Sequence, residues 1–310
     1  MQHVEGRTAF ITGGASGIGF GVAQALLRAG MRVAIADVRA DALRAAAGAL
    51  AAGDRLYAVH LDVTDRAAFA RAADETERAF GPVHVLCNNA GVGMLGSIKS
   101  TTYDDWDWCL SVNLGGVVNG IQTFLPRMLR HGQGGHIVNT ASIGAVAPGP
   151  GGAPYLASKG AIQLLSEGLK LELLEDGIGV TVLFPGPTQT NINRVADLRP
   201  ERYRNTGLGE IEAQLAAKPL FDNGLDPLAV GELVLDAIRR DLLFVFTHGE
   251  FRAGVAQRFA AILQGFPDGP VDAERARRFG FPLIPSLYGE IRARNAPPAG
   301  SGRQERSEGE

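Results

Sequence analysis

Between residue 7 and about residue 185, apolar positions fall into two alternating kinds of segment. Short runs rich in β-branched residues occupy Thr8–Ile11, Arg32–Ala36, Leu56–Leu61, Val83–Leu86, Gly135–Asn139 and Val180–Leu183. Longer stretches, at Phe20–Arg28, Ala40–Ala51, Arg66–Phe80, Tyr103–Leu129 and Ser158–Glu175, space their apolar side chains at helical intervals. The short runs lack the in–out alternation of a half-exposed strand, so they predict strands covered on both faces. Strands alternating with helices imply right-handed crossovers and an α/β fold with a doubly wound parallel sheet. Past residue 185 the rhythm breaks. Residues 186–226 are rich in Pro, Gly, Asn and Arg, and a helix (Pro227–Arg240), a strand (Leu242–Phe246) and a helix near Phe251–Leu263 follow.

With 310 residues, 45% of them hydrophobic, the chain is long enough for one large α/β domain. Neither a repeat nor a linker is evident, so residues 1–295 are expected to form a single domain. Residues 296–310 (APPAGSGRQERSEGE) have almost nothing to bury and are expected to be disordered. A net charge of −3 from nearly balanced signs gives no electrostatic reason to expect nucleic acid or an anionic membrane as partner. Cys87 and Cys109 have no second thiol or His at metal-ligand spacing. Buried inert thiols are therefore expected, and no metal. The start MQHVEGR has no basic region followed by an apolar one, and no run of about 18 apolar residues occurs. A cytoplasmic protein acting on a small molecule is the expectation.

The first predicted strand ends in Thr12-Gly13-Gly14-Ala15-Ser16-Gly17-Ile18-Gly19 and opens directly onto a helix. Glycines there let the backbone turn tightly and approach a pyrophosphate, which then sits on the N–H groups and the positive dipole end of the helix. Gly13, Ser16, Gly17, Ile18 and Gly19 are the candidate contacts of such a Rossmann-type site, although a glycine turn also serves plain strand–helix packing. Asp37 ends the second strand. Its carboxylate suits the ribose hydroxyls of an adenosine and repels a 2′-phosphate, which favours NAD over NADP. Asp37 or Asp41 could equally cap the helix from Ala40, and Arg39 could weaken the discrimination. Asp62 and Val63 end the third strand, where an adenine amino group could be read, and Asn89, Ala90 and Gly91 end the fourth, where the ribose and nicotinamide would pass. Ligands of open parallel sheets bind outside the carboxyl ends of the strands, and all these motifs fall there.

Oxidising an alcohol requires a base at its O–H, a hydride acceptor at its C–H and donors for the oxygen. Tyr155 and Lys159 stand four residues apart, on one helix face, with Ser142 just beyond the strand His136–Thr140. An ordinary Tyr, with a pKa of about 10, is too weak a base at neutral pH. The positive charges of Lys159 and of an oxidised nicotinamide are expected to lower it. Lys159 would also bond the nicotinamide ribose, and Ser142 the substrate oxygen. Taken singly, a Tyr at a helix start is usually packing and a Lys on a helix is usually solvated.

Thr12–Gly19, Asn88–Gly91, Asn113, Ser142, Tyr155-x-x-x-Lys159 and Pro185-Gly186, in this order over roughly residues 5–195, resemble the short-chain dehydrogenase/reductase family. The resemblance implies that Asn113 holds a helix kink and a proton-relaying water, and that hydride moves at the B face of the nicotinamide. It implies that Pro185 and Gly186 back that ring while Thr188 or Thr190 bonds its carboxamide or the pyrophosphate. A homodimer or homotetramer through the two long helices is likewise implied. Outside this core, Thr101–Trp108, Gly177–Ile192, Leu198–Arg204 (LRPERYR) and Thr247-His248-Gly249 resemble the bacterial Cα-dehydrogenases of lignin-derived β-aryl ethers. That implies oxidation of a benzylic secondary alcohol to its ketone with NAD. The alternatives are a dehydrogenase of another hydrophobic secondary alcohol (steroid, terpenoid or hydroxyacyl) and a catalytically silent dinucleotide-binding regulator.

The irregular segment of about 191–226 is expected to be a substrate lid. It carries Arg194, Arg199, Arg202 and Arg204, either as a solvated basic face or with one of them stacked on an aryl ring or paired with an acidic substrate group. Trp106 and Trp108 could be aryl platforms, but packing on the helix before Asn113 is the plainer expectation.

Overall fold

The computed structural model describes residues 1–192, 198–204, 208, 211, 214, 221–270, 272–278 and 286–295. Arg194, much of the expected lid and the expected disordered tail at 296–310 lie outside the described residues. The chain divides into two compact units, residues 1–262 and 263–310. The described residues of the second unit include the helices Ala273–Arg278 and Ser286–Asn295.

The first unit is built on a seven-stranded sheet of β1 (Thr8–Thr12), β2 (Arg32–Asp37), β3 (Leu56–His60), β4 (Val83–Asn88), β5 (Gly135–Thr140), β6 (Ile178–Phe184) and β7 (Phe244–Phe246). The spatial order is β3-β2-β1-β4-β5-β6-β7 and every neighbouring pair is parallel. This is the doubly wound sheet expected from the alternating pattern. The winding reverses between β1 and β4, which opens a cleft above their carboxyl ends.

Among the described residues run helices α1 (Gly17–Arg28), α2 (Ala40–Leu50), α3 (Arg66–Phe80), α4 (Tyr103–Leu110), α5 (Gly116–His131), α6 (Ala153–Glu172) and α7 (Pro227–Arg240), of which α4 packs against α6 and the others pack on the sheet. All five residues of β1 are buried, because alternate side chains feed opposite layers. Ala9 and Ile11 join a cluster with Val22 and Leu26 of α1 and Val230 and Val234 of α7. Phe10 points the other way, its ring centroid 4.7 Å from Phe124 of α5 and 6.1 Å from Phe69 of α3. Each such buried ring contributes roughly 1.5–3 kcal/mol of transfer free energy. A strand with an apolar layer on both sides therefore reads as a continuous apolar run.

Three of the differences from the sequence pattern have a visible physical cause. The helix expected over Tyr103–Leu129 is broken by a π-turn, Ser111–Gly115, between α4 and α5. The extra residue in that turn directs Asn113 inward, where it is fully buried. Helix α6 starts at Ala153 rather than Ser158, with Pro154 in its first turn, where a missing N–H costs nothing. Strand β7 begins at Phe244 rather than Leu242, because the Leu242 N–H closes the end of α7 on Ala237 O at 3.0 Å. Among the described residues, no helix is long and apolar enough to cross a membrane.

Candidate active site

The turn from β1 into α1 is shaped by what its glycines permit. Gly17 has φ +51°, and a Cβ on Gly19 would lie 2.2 Å from Gly13 O, so only hydrogen fits between turn and helix. Ser16 stands at the N-cap of α1 without a side-chain bond to the helix, and no acid occupies the first turn. The positive end of the helix thus faces the cleft uncapped by its own side chains. Thr190 packs over this turn, its Cγ2 2.8 Å from where a Cβ of Gly17 would stand. The glycine cradle and the open helix end fit a dinucleotide pyrophosphate.

Asp37 is buried at the tip of β2. Its Oδ2 accepts from Ala15 N at 3.3 Å, and its Oδ1 from Arg39 N at 3.0 Å and Arg39 Nε at 3.3 Å. The N-cap of α2 is Arg39, with no side chain capping the helix, so neither Asp37 nor Asp41 serves as that cap. Arg39 also donates through Nη2 to Ser16 Oγ at 2.7 Å. A carboxylate and a guanidinium therefore sit side by side at the rim. Asp62 accepts from Thr64 N and Oγ1 at 2.9 and 2.8 Å, which shapes the turn after β3, and Val63 O accepts from Asn119 Nδ2 at 2.9 Å. Thr12 was not among the expected site residues. Its hydroxyl accepts from Asn89 N at 3.0 Å and Ala90 N at 3.1 Å, while Asn89 Nδ2 donates to Thr12 O at 3.1 Å. It thereby locks the loop after β4 onto β1. The motif position of Thr12 was visible in the sequence; its bonding was not.

On the other side of the cleft, Ser142 caps a 3-10 turn, Ile143–Ala145, accepting from Gly144 N at 3.1 Å. The first turn of α6 brings up Tyr155, and one turn later Lys159. Lys159 is 3% exposed, donates to Thr140 O at 2.8 Å, and has its Nζ 5.6 Å from the Tyr155 ring centroid. Burial pushes Lys159 down to about 8. Burial also raises Tyr155 above its ordinary value, with a Ser142 hydrogen bond pulling the other way and the neighbouring Cys109 adding to the rise. In the cofactor-free chain desolvation dominates both residues, whereas the lowering of Tyr155 was expected from Lys159 together with an oxidised nicotinamide.

The Asn113 side chain is spent on the protein itself. Its Oδ1 accepts from Val92 N at 2.8 Å, and its Nδ2 donates to Val92 O and to Ser158 Oγ, each at 3.1 Å. This staples the loop after β4 to α6. Pro185 and Gly186 follow β6, with Gly186 N bonded to Thr247 Oγ1 at 2.9 Å. Thr188 is buried and donates to Gly186 O at 3.1 Å. Both cysteines are buried, and burial pushes Cys87 up to about 12 and Cys109 up to about 11, which suits inert thiols.

These groups share one cavity of about 480 Å³. Gly13, Ser16, Gly17, Ile18, Asp37, Asp62, Val63, Asn89, Ala90 and Gly91 line one part of it. Ser142, Tyr155, Lys159, Pro185, Gly186, Thr188 and Thr190 also line it. Of the expected residues, Gly19 and Asn113 lie behind the wall. Beyond Tyr155 the lining is mostly apolar, with Val92, Met94, Leu95, Trp108, Leu198 and Phe221, and Arg202 lines it as well. Trp108 packs in a cluster with Val92, Met94 and Cys109 and also lines the cavity.

A protein-family model described as short chain dehydrogenase matches residues 7–200. The C alpha-dehydrogenase of Sphingobium sp. (strain NBRC 103272 / SYK-6) is 40% identical over 281 residues, covering 90% of this chain and 92% of that one. The crystal structure of LigO in its apo form, from Sphingobium sp. strain SYK-6, superposes with a TM-score of 0.74 at 38% identity, covering 96% of this chain and all of that one. A short chain dehydrogenase/reductase from Burkholderia phymatum in complex with NAD superposes with a TM-score of 0.80 at 35% identity, covering 88% and 100%.

Proposed function

This chain belongs to the short-chain dehydrogenase family, and we propose that it is an NAD-dependent dehydrogenase oxidising the benzylic secondary alcohol of a lignin-type β-aryl ether. It is an oxidoreductase acting on alcohols, as its family is. The observation that carries the finer reading is the cavity, where Ser142, Tyr155 and Lys159 adjoin a largely apolar chamber walled by Trp108, Met94, Leu198 and Phe221. Such a chamber suits a bulky aromatic alcohol and has little to offer a sugar.

An oxidised nicotinamide in this cleft supplies the hydride acceptor and a positive charge. Ser142 holds the alcohol oxygen by hydrogen bonding. Tyr155 exchanges the hydroxyl proton. Burial favours its phenol form, the form that protonates a ketone oxygen. Alcohol oxidation needs the phenolate, which nearby positive charge, including that of Lys159, favours. Lys159, at about 8, is mostly an ammonium at neutral pH, anchored on Thr140 O. Asp37 faces the adenosine side and supports NAD, while the Arg39 guanidinium against it offsets part of its repulsion of a 2′-phosphate. The identity of the Cα-dehydrogenase relative supports the substrate class.

The test is nicotinamide reduction, followed optically, with a panel of aryl-glycerol β-ethers, steroids and hydroxyacyl compounds. Aryl-glycerol ethers should give the highest kcat/KM, with the Cα ketone as product. Faster turnover of a steroid or hydroxyacyl compound would replace the substrate assignment. Cofactor binding with no turnover of any alcohol would leave a silent regulator.

A further inference from the structure

Arg199 meets neither of the fates expected for the lid arginines. It is buried, with 4% of its surface exposed, and its Nη1 lies 3.0 Å from Oδ1 of Asp105, which is fully buried. Its guanidinium carbon sits 4.4 Å from the Trp108 ring centroid, and Nη1 also donates to Tyr203 O at 3.2 Å. Asp105 does a second job: its Oδ2 accepts from Thr102 N at 2.8 Å and Thr102 Oγ1 at 3.1 Å, forming the cap of α4. The residues on either side of Arg199, Leu198 and Pro200, line the cavity, whereas Arg199 itself does not. One buried ion pair thus joins the chain beyond β6 to the helix that carries Trp108 and runs into the Asn113 turn.

We propose that Arg199 is a positioning residue for the substrate: its pairing with Asp105 and stacking on Trp108 hold Leu198 and Pro200 as the far wall of the cavity, and so set the size of alcohol accepted. A buried ion pair is weak evidence for stability, since well-packed apolar residues often replace one without loss. What it fixes is geometry. The carboxylate and the planar guanidinium define a single register between segment and helix, which apolar contacts from Leu198 and Tyr203 alone would leave free to slide. The remaining described lid arginines are placed differently: Arg204 pairs with Glu201 at the surface, and Arg202 stacks on Tyr203 at 4.8 Å.

The inference rests on the reading of the cavity as an alcohol site, and the experiment separates the two. Removing one partner alone strands a buried charge and risks misfolding, so the decisive variant is Arg199→Met combined with Asp105→Asn. There the amide keeps an oxygen for Thr102 and the thioether keeps the volume. With the best bulky aryl alcohol of the parent chain, KM should rise about tenfold or more while kcat changes less than about threefold and the NAD dissociation constant stays put. Trypsin, which needs an accessible arginine, should cut after Arg202 or Arg204 several times faster than in the parent. Arg199→Lys, keeping the charge but not the planar stack, should fall between. A KM within about twofold of the parent with unchanged cleavage overturns the proposal. So does a joint loss of kcat, KM and NAD affinity, which would make the pair a general prop. Should the parent turn over no bulky alcohol, the functional reading fails and the trypsin result alone still decides the latch.

Discussion

Lys159 offers a test in which the sign as well as the size follows from the structure. Burial lowers it from its ordinary 10.5 to about 8. The ammonium is thus disfavoured in the folded chain and not in the unfolded one. At about 1.4 kcal/mol per pH unit, the gap of roughly 2.5 units is worth about 3 kcal/mol, which the folded protein forgoes at pH 7. Between pH 8 and 10.5 the unfolded chain still binds this proton and the folded one does not, so the penalty shrinks and stability rises with pH. Tyr155, whose value is raised, exerts its effect only above about 10, where it lowers stability, and does so with or without Lys159. Lys159→Met removes the penalty but strands Thr140 O, at about 1–3 kcal/mol, so the two proteins should be close in stability at pH 7. The gap between them should then move by roughly 3 kcal/mol in favour of the parent as pH climbs to 10.5, or about 6–9 °C in Tm at 2–3 °C per kcal/mol. Thermal unfolding of both cofactor-free proteins across that range measures it. A gap that stays flat, or drifts toward the Met variant, refutes the buried-ammonium argument.

Tyr155→Phe should lower kcat by about 10²–10⁴, the usual worth of a positioned acid–base group, with the NAD dissociation constant within about twofold; near-normal turnover would place the base elsewhere. Asp37→Asn should narrow the preference for NAD over NADP in kcat/KM by about tenfold or more, since one charge-assisted bond to ribose is lost. Arg39→Ala, which removes the guanidinium beside Asp37, should widen the same preference. Movement of either ratio in the opposite sense would mean that Asp37 does not read the ribose.

The parts of this molecule that were legible in the sequence are those whose cause is local. Strands β1 and β4 are buried at every position, and their mostly apolar runs say so directly. The glycines after β1, and the spacing of Tyr155 to Lys159, encode a turn and a helix face within a few residues. The π-turn at Ser111–Gly115 left no mark in composition or periodicity, since one extra residue in a turn changes neither enough to register, and a kink at Asn113 was implied only by the family resemblance. The start of α6 was hidden by the Gly-Pro-rich stretch before it, where Pro154 reads as a breaker although it sits in a first turn.

The rest depended on partners far away along the chain. Arg199 reads as a surface charge until α4 brings Asp105 and Trp108 beneath it. Asn113 reads as a site residue, while its bonds to Val92 and Ser158, which tie the loop after β4 to α6, depend on partners far along the chain. The pKa directions of Tyr155 and Lys159 follow the same rule: spacing put the two groups together, while packing decided which influence wins. Charge proximity is a pairwise matter and can be anticipated from an i, i+4 pattern. Desolvation sums over everything that excludes water from the cleft, including the wall that Arg199 holds in place. In this chain the position of a chemical group is therefore written locally, and its strength is set by the assembled fold.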